Sequence, residues 1–174
     1  EGQEAVTEEV RELYLRLIFA YQEVISENPK KPGIIPGIYH KILLNDENTR
    51  PCRERVRCGA PAEEKIKEDE VEMLIRNDIV EECNSEWSSN LVVVRKKDGT
   101  PRTCVDLRRV NMATRFDCFP LARIDESLDA LGGAKYMSTL DNSSAFWSIL
   151  LHPEDRDKTA FGTRSHGQLR FKRM

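Results

Sequence analysis

The 174-residue sequence has few of the features that assign a chain to a familiar class at once. Its five cysteines are odd in number and form no Cys-x-x-Cys pair, which argues against a disulfide framework or a zinc site and favours reduced intracellular thiols. No run of about 18 apolar residues occurs, so the sequence predicts no membrane span. The opening residues EGQEAVTEEV are acidic and contain no apolar run, so we expect no signal peptide.

The sequence also begins without methionine and ends at RFKRM, which has neither turn nor tail character. We interpret it as a piece of a longer protein. Its length allows one domain with a buried core.

Charge is unevenly distributed, although the net charge is only −3. Residues 61–82 contain nine acids and three bases, whereas residues 95–123 contain eight bases and three acids. Residues 156–173 contain six bases and one acid. The two basic segments could line a phosphate-binding channel or could be ordinary solvated faces, and charge alone leaves both interpretations open.

Three segments are predicted to be helices. Residues 8–26 follow Thr7, a candidate N-cap, and place on one face the apolar residues Val10, Leu13, Leu17, Tyr21 and Val24. Residues 61–78 begin with proline, which suits a first helical position. Residues 124–133 end in two glycines, which favour a helix C-terminus.

Strand-like runs account for much of the remaining sequence. They lie at residues 38–44, 91–94, 103–107, 135–141 and 159–162, and from 168 onward. The Asp98-Gly99 pair between the second and third runs predicts a hairpin turn. Residues 79–87 are predicted to be an irregular edge segment, and residues 144–151 fit a helix or a strand equally. The mixture of helices and mostly antiparallel strands indicates an α+β fold.

Three groups of residues could carry chemistry, and each has an ordinary structural alternative. Asp141, at the end of a predicted strand, could be a metal ligand or a turn residue that bonds its own backbone. The basic side chains of the hairpin could close over a triphosphate or simply keep the hairpin soluble; they are Arg95, Lys96, Lys97 and Arg102. Phe146 and Trp147 could wall a sugar pocket or belong to the core. Because Asn142 follows Asp141, the Asp-Ser/Thr-Gly pattern of an aspartic protease is excluded.

Four sequence words in a fixed order carry a resemblance that covers the chain from about Ala20 to Met174. They are KKDGTPRTCVDLRRVN, FPLARIDESLDALGGAKY, STLD and EDRDKTAF. With these words at these spacings, the sequence resembles the reverse transcriptases of gypsy-like LTR retrotransposons. The resemblance implies a partial reverse-transcriptase-like polymerase fold with the fingers and the first part of the palm. Residues 1–34 would be an N-terminal helix and linker, and residues 35–174 the partial reverse transcriptase domain, truncated before the Tyr-x-Asp-Asp-type turn.

The resemblance implies that Asp141 is the first catalytic aspartate and a metal ligand, with the backbone carbonyl of Asn142 as a further ligand. The complete enzyme would bind two Mg²⁺ ions, for which Mn²⁺ could substitute. The other two aspartates of the family lie in a Tyr/Phe-x-Asp-Asp turn, whereas this sequence contains no adjacent Asp-Asp pair. We therefore expect the isolated chain to lack polymerase activity.

The resemblance also implies a set of nucleotide-binding residues. Lys96 and Arg102 would bind the phosphates of the incoming nucleotide. Ser144 and Ala145 would offer backbone N–H groups to the triphosphate, and Phe146 would be the aromatic steric gate that excludes a ribose 2′-hydroxyl. The family usually has glycine at the position of Ala145 and tyrosine at that of Phe146.

The partners implied by the resemblance are an RNA or DNA template-primer, a dNTP and the rest of a Pol polyprotein with its protease, remaining palm, RNase H and integrase. No membrane partner is expected, and reverse transcription in this family is placed in cytoplasmic virus-like particles. The expected reaction is template-directed addition of dNTPs to a primer 3′-hydroxyl by two-metal phosphoryl transfer. Two alternatives stay open, namely a non-catalytic nucleic-acid-binding relic of a retroelement and an inert product that does not fold stably.

Overall fold

Short helices and short strands are interspersed along the chain. The computed structural model describes residues 7–22, 33–120, 123–134 and 137–174. The α-helices are α1 (Glu8–Ala20), α2 (Pro61–Arg76), α3 (Arg108–Ala113) and α4 (Ile124–Ala130). Short 3₁₀ helices span Ala145–Ser148 and Pro153–Thr159. The strands are β1 (Tyr39–His40), β2 (Val80–Glu82), β3 (Leu91–Arg95), β4 (Pro101–Val105), β5 (Leu150–Leu151), β6 (Phe161–Gly162) and β7 (Gln168–Phe171).

The described strands form three small sheets. Strands β2, β7 and β6 lie side by side in that order and are antiparallel, with Phe161 opposite Leu169. Strands β3 and β4 form an antiparallel hairpin, whereas β1 and β5 pair in parallel. Isolated bridges extend the first sheet beyond β6, because Ser89 pairs with Phe161 and Arg53 pairs with Ser88. The mixture of helices and mainly antiparallel strands confirms the α+β prediction.

Two apolar clusters form the core on opposite faces of β6 and the residue before it. One cluster consists of the buried residues Val71, Leu74, Ile79, Val80, Leu91, Phe161 and Leu169. The other consists of Trp87, Val110 and Ala160, with Cys52 and Cys83 packed against it. Ala160 and Phe161 belong to different clusters because successive side chains of an extended segment point to opposite faces. Burial of this apolar surface is the main favourable contribution to the folded state.

Helix α2 ends in a hydrogen-bonding pattern that turns the chain back into the core. The Ile79 N–H donates to the Leu74 carbonyl at 2.9 Å, and the Asp78 N–H donates to the Ile75 carbonyl at 3.0 Å. These two bonds define a Schellman motif, in which the residue directly after the helix C-cap adopts the left-handed conformation. That residue is Asp78, with φ of +58°. The motif places Ile79 beside Leu74 in the first core cluster.

A partly buried ion pair links the segment after β1 to the second 3₁₀ helix. The Lys158 ammonium pairs with the Asp155 carboxylate, and both groups also reach the backbone of Ile42. The Ile42 N–H donates to Asp155 Oδ2 at 3.2 Å, and Lys158 Nζ donates to the Ile42 carbonyl at 2.8 Å. Each charge therefore has hydrogen-bond partners, which buried charges require. Asp155 and Lys158 of the EDRDKTAF word thus link two segments that are distant in sequence.

The structure confirms most of the predicted elements and corrects several of their bounds. Helix α1 ends at Ala20, and residues 23–26 of the predicted helix lie outside the described residues. Thr7 occupies the N-cap position, but its side chain makes no capping hydrogen bond. The predicted irregular segment 79–87 contains strand β2, which lies at the edge of its sheet. Within the described ranges, no helix is long and apolar enough to cross a membrane.

Candidate functional site

Asp141 lies in a segment without regular secondary structure. The predicted strand 135–141 is wrong over residues 137–141, whereas residues 135 and 136 lie outside the described part of the chain. A strand needs a neighbour for its N–H and C=O groups, and no described strand pairs with this segment. Leu140 is consequently 95% exposed, and Asp141 and Asn142 are exposed as well.

A tight turn follows Asp141 and separates the two neighbouring aromatic side chains. Ser144 adopts the left-handed conformation with φ of 50° and ψ of 44°, and the 3₁₀ helix Ala145–Ser148 follows it. The Trp147 N–H donates to the Ser144 carbonyl at 2.9 Å, which closes the turn. Trp147 packs against the first core cluster, whereas Phe146 is 67% exposed. Trp147 is therefore a core residue, and Phe146 is available to contact a ligand.

The hairpin turn between β3 and β4 is stabilised by its own Asp-Gly pair. Gly99 has φ of +82°, a conformation that glycine adopts without strain. The Asp98 carboxylate accepts hydrogen bonds from the Thr100 N–H at 2.9 Å and from the Thr100 hydroxyl at 2.6 Å. These bonds, together with the positive charge of Lys96, lower the pKa of Asp98. The only acid of the turn is thus held within the turn.

The four basic side chains of this hairpin are exposed and make no ion pair with a described residue; they are Arg95, Lys96, Lys97 and Arg102. Arg102 lies on β4 opposite Val94, and Lys96 begins the turn. The two candidate phosphate-binding residues therefore lie on the same hairpin, in which the cations outnumber the single acid, Asp98. No hydrogen bond or ion pair joins Lys96 or Arg102 to Asp141.

The second basic segment, residues 156–173, is different because most of its cations have acidic partners. Arg170 donates to Asp157 at 2.7 Å and to Glu81 at 2.8 Å, which raises the pKa of the guanidinium. Lys172 pairs with Asp78 at 2.6 Å. These pairs tie β7 to the elements beside it. The sequence left two interpretations of this segment open, a phosphate-binding strip and a solvated face. The ion pairs fit neither interpretation, because they join most of these cations to acidic residues of the fold.

The residues present do not form a complete metal site. The described part of the chain contains no group of three or more His, Cys, Asp or Glu side chains that could hold a metal ion. Asp141 is a single exposed carboxylate, and a pair of catalytic metal ions requires several. Asp141 and the Asn142 carbonyl can offer only part of a coordination shell.

Two cavities of the described residues lie away from these candidates. One of about 390 Å³ is bordered by α2 and residues 162–165, and another of about 750 Å³ lies between residues 53–56 and 83–88. None of the candidate site residues lines either cavity. The candidate residues therefore lie on exposed surface, some on the hairpin and others at the Phe146 turn.

Sequence reasoning missed two buried polar residues, one directly before β3 and one beside the Phe146 turn. Asn90 is buried, donates to Glu54 Oε2 at 2.6 Å and accepts from the Arg57 N–H at 3.2 Å. Arg173 is buried beside the Phe146 turn. Neither residue belongs to a periodic apolar pattern, so hydrophobic spacing gives no signal for them.

Comparisons with known proteins agree with the motifs. Residues 94–173 match the family model "Reverse transcriptase (RNA-dependent DNA polymerase)". The chain is 42% identical over 111 residues to the Pol polyprotein of transposon 412 from Drosophila melanogaster, covering 60% of this chain and 9% of that relative. It is 35% identical over 112 residues to the Pol polyprotein of transposon gypsy from the same organism, covering 61% of this chain and 11% of that relative. The chain thus spans about a tenth of the length of these relatives.

Solved structures support the fold. The foamy viral protease-reverse transcriptase in complex with an RNA/DNA hybrid superimposes with a TM-score of 0.76 at 22% identity, covering 98% of this chain and 22% of that one. At this identity the likeness concerns the fold alone. It confirms the predicted partial polymerase fold. The family model and the transposon relatives confirm the resemblance to gypsy-like reverse transcriptases.

Proposed function

We propose, starting from its likeness to the reverse transcriptases of gypsy-like LTR retrotransposons, that this chain is part of an RNA-directed DNA polymerase. The complete enzyme would add dNTPs to a primer 3′-hydroxyl on an RNA or DNA template. Residues 35–174 would contribute the fingers and the first part of the palm. Two Mg²⁺ ions, or Mn²⁺ in their place, would stabilise the charge that develops on the transferred phosphorus.

The observation that carries this proposal is the turn directly after Asp141, which holds Phe146 out of the core. An exposed aromatic ring on a rigid turn can lie against the sugar of a nucleotide and exclude a 2′-hydroxyl by contact. By resemblance to the family, the backbone N–H groups of Ser144 and Ala145, at the start of this turn, would bind the triphosphate. Asp141 would supply one metal ligand at the edge of this turn.

The hairpin supplies the complementary charge. Lys96 would act as a point charge on the phosphates, and the planar Arg102 guanidinium would make paired hydrogen bonds to phosphate oxygens. The tip of the hairpin would close over the triphosphate of a bound nucleotide. The acid of the hairpin does not compete, because Asp98 is engaged with Thr100.

A second candidate function is nucleic-acid binding without catalysis. It is favoured by the same unpaired cations of the hairpin, because cations that displace counterions from phosphates produce salt-dependent binding. Binding of the 174-residue chain to a template-primer at about 50 mM salt would support it, and neutralising Lys96, Lys97 and Arg102 should then weaken the binding. Absence of binding at this salt concentration would exclude it.

The role of Phe146 provides the test of the polymerase proposal. In the complete polymerase, Phe146→Val should raise the use of ribonucleotides relative to deoxynucleotides by about tenfold or more, because the smaller side chain leaves room for the 2′-hydroxyl. The measurement is the ratio of kcat/KM for a dNTP and the matching rNTP in primer extension. Phe116→Val is the matched control, since Phe116 is also exposed but lies outside the turn.

An unchanged sugar preference in the Phe146 variant would contradict the proposed gate. The 174-residue chain itself should not extend the primer, because it lacks the adjacent aspartates of the family. Extension by the 174-residue chain would show that the chemistry does not depend on those aspartates.

A further inference from the structure

Arg173 is buried close to the candidate nucleotide turn. It is only 6% exposed, although a guanidinium is charged at every accessible pH. Its Nη1 donates to the Trp147 carbonyl at 3.3 Å. A buried charge is unfavourable unless it is hydrogen-bonded, so the bond to the Trp147 carbonyl helps to stabilise the guanidinium in its buried position.

The position of this bond within the turn gives it a structural consequence. Trp147 is the third residue of the 3₁₀ helix Ala145–Ser148, and its carbonyl lies at the C-terminal end of that helix. The last carbonyls of a helical turn lack donors within it and carry partial negative charge. A cation placed there supplies both the missing donor and the favourable charge.

The backbone around Arg173 holds its side chain in place. Residue 173 is bridged to Leu150 in an antiparallel arrangement. The Leu151 N–H donates to the Lys172 carbonyl at 2.8 Å, and the Met174 N–H donates to the Ile149 carbonyl at 2.9 Å. The Arg173 side chain therefore extends from a paired backbone to the turn that immediately precedes β5.

Two other contacts hold the same end of the turn. The Ile35 N–H donates to the Ser148 carbonyl at 2.9 Å, and the Trp147 side chain packs against the first core cluster. These contacts fix Trp147 and Ser148, whereas Phe146 is exposed. The orientation of Phe146 thus depends on the anchored C-terminal half of the turn.

We infer that Arg173 is a positioning residue, whose buried guanidinium fixes the turn that presents Phe146. The inference deepens the proposed function and rests on it for the role of Phe146 as a sugar gate. Arg173 acts through the Trp147 carbonyl on the residue before it.

Trp147 provides a reporter that does not depend on polymerase activity. The chain has two tryptophans, so Trp87→Phe leaves Trp147 as the only indole. In this background, Arg173→Met should increase acrylamide quenching of Trp147 about twofold, because loss of the anchor lets the turn open locally. Arg173→Lys keeps a cation that can donate to the carbonyl, so its quenching should lie between those of the parent and the Met variant.

Arg156→Met is the matched control. Arg156 is also largely buried and donates to a backbone carbonyl, that of Leu151 at 3.3 Å, but it does not contact the turn. Its substitution should leave Trp147 quenching at the parent value. If Arg173→Met does not melt cooperatively, Arg173→Lys decides the question. Quenching no higher in the folded Arg173 variants than in the control would overturn the inference.

Sugar selectivity in the complete polymerase separates this inference from the proposed function. Arg173→Met should narrow the preference for dNTP over rNTP, whereas Arg156→Met should leave it unchanged. Increased quenching together with unchanged selectivity would support the anchoring role of Arg173 and would contradict the assignment of Phe146 as the gate.

Discussion

At the scale of single residues, the ion pair between Asp106 and Arg108 shows how a local contact lowers the pKa of a carboxyl group. Arg108 donates from Nε to Asp106 Oδ1 at 2.8 Å and from Nη2 to Oδ2 at 2.6 Å. This bidentate arrangement, aided by the Arg108 N–H, lowers the pKa of Asp106 from 3.8 to about 2. The Arg108 side chain is exposed although Asp106 is half-buried, so the contribution of the pair to stability is modest and is screened by salt.

The pH dependence that follows has a definite sign. A carboxyl group whose pKa is lower in the folded state stabilises the fold above its unfolded pKa, and this contribution is lost as pH falls through the folded pKa. For Asp106 the loss therefore occurs between about pH 4 and pH 2. Thermal melts of the parent and Asp106→Asn should differ most at pH 5 and should converge toward pH 2. A difference that stays constant over this range would show that Asp106 does not titrate as described.

At the scale of elements, the end of α2 departs from the residue that its geometry favours. Asp78 occupies the left-handed position of the Schellman motif, where glycine is usual. A side chain with a Cβ is strained in this conformation. The local backbone would therefore accept glycine more readily than any other residue.

This geometry predicts an order of stability for two substitutions. Asp78→Gly should be more stable than Asp78→Ala by about 1 kcal/mol, since only alanine keeps the Cβ strain. Both variants lose the ion pair with Lys172, so the comparison isolates the backbone effect. The measurement is the free energy of unfolding in urea. Equal stabilities would argue against a left-handed Asp78.

Local elements could be predicted from the sequence because their signals lie within a few residues. The Asp98-Gly99 turn and the flanking apolar runs predicted the β3–β4 hairpin, and the proline at the start of α2 predicted its first residue. The segment ending at Asp141 has an equally apolar pattern and forms no strand over residues 137–141. A strand depends on a partner distant in sequence, which a local pattern does not reveal.

The candidate site shows the same division. The exposed cations of the hairpin follow from the turn chemistry of their own segment. The different burial of Phe146 and Trp147 could not be predicted in this way, because two adjacent aromatic residues do not show which one packs against the core. The partner of Arg173 lies 26 residues away, and no spacing rule connects the two positions.

At the scale of the whole molecule, the Asp155–Lys158 pair joins parts of the chain that are far apart in sequence. Lys158→Met should destabilise the fold by about 1–3 kcal/mol, because it leaves the Ile42 carbonyl without its donor and the Asp155 carboxylate without its cation. Glu154→Gln, at an exposed position beside it, should change the free energy of unfolding by less than about 0.5 kcal/mol. Urea titration measures the free energy of unfolding of both variants. A Lys158 variant as stable as its Glu154 control would contradict the stabilising role of the Asp155–Lys158 pair.

The molecule also exposes many large apolar side chains. They include Leu13, Leu17, Phe19, Phe116, Phe119, Ile124, Leu128 and Leu140. Apolar surface of this extent marks sites of contact with other chains or segments and favours association in isolation. Because association of the isolated chain would complicate kinetic measurements, catalytic activity is best measured in the complete polymerase.

The most direct measurement of the central claim is primer extension by the complete polymerase with Asp141→Asn. Asparagine keeps the shape of the side chain but removes the negative charge that binds a metal ion, so extension should fall by at least about a hundredfold. Asp125→Asn, on the exposed face of α4, is the matched control and should extend as the parent does. Extension by Asp141→Asn at the rate of this control would contradict the assignment of Asp141 as a catalytic metal ligand.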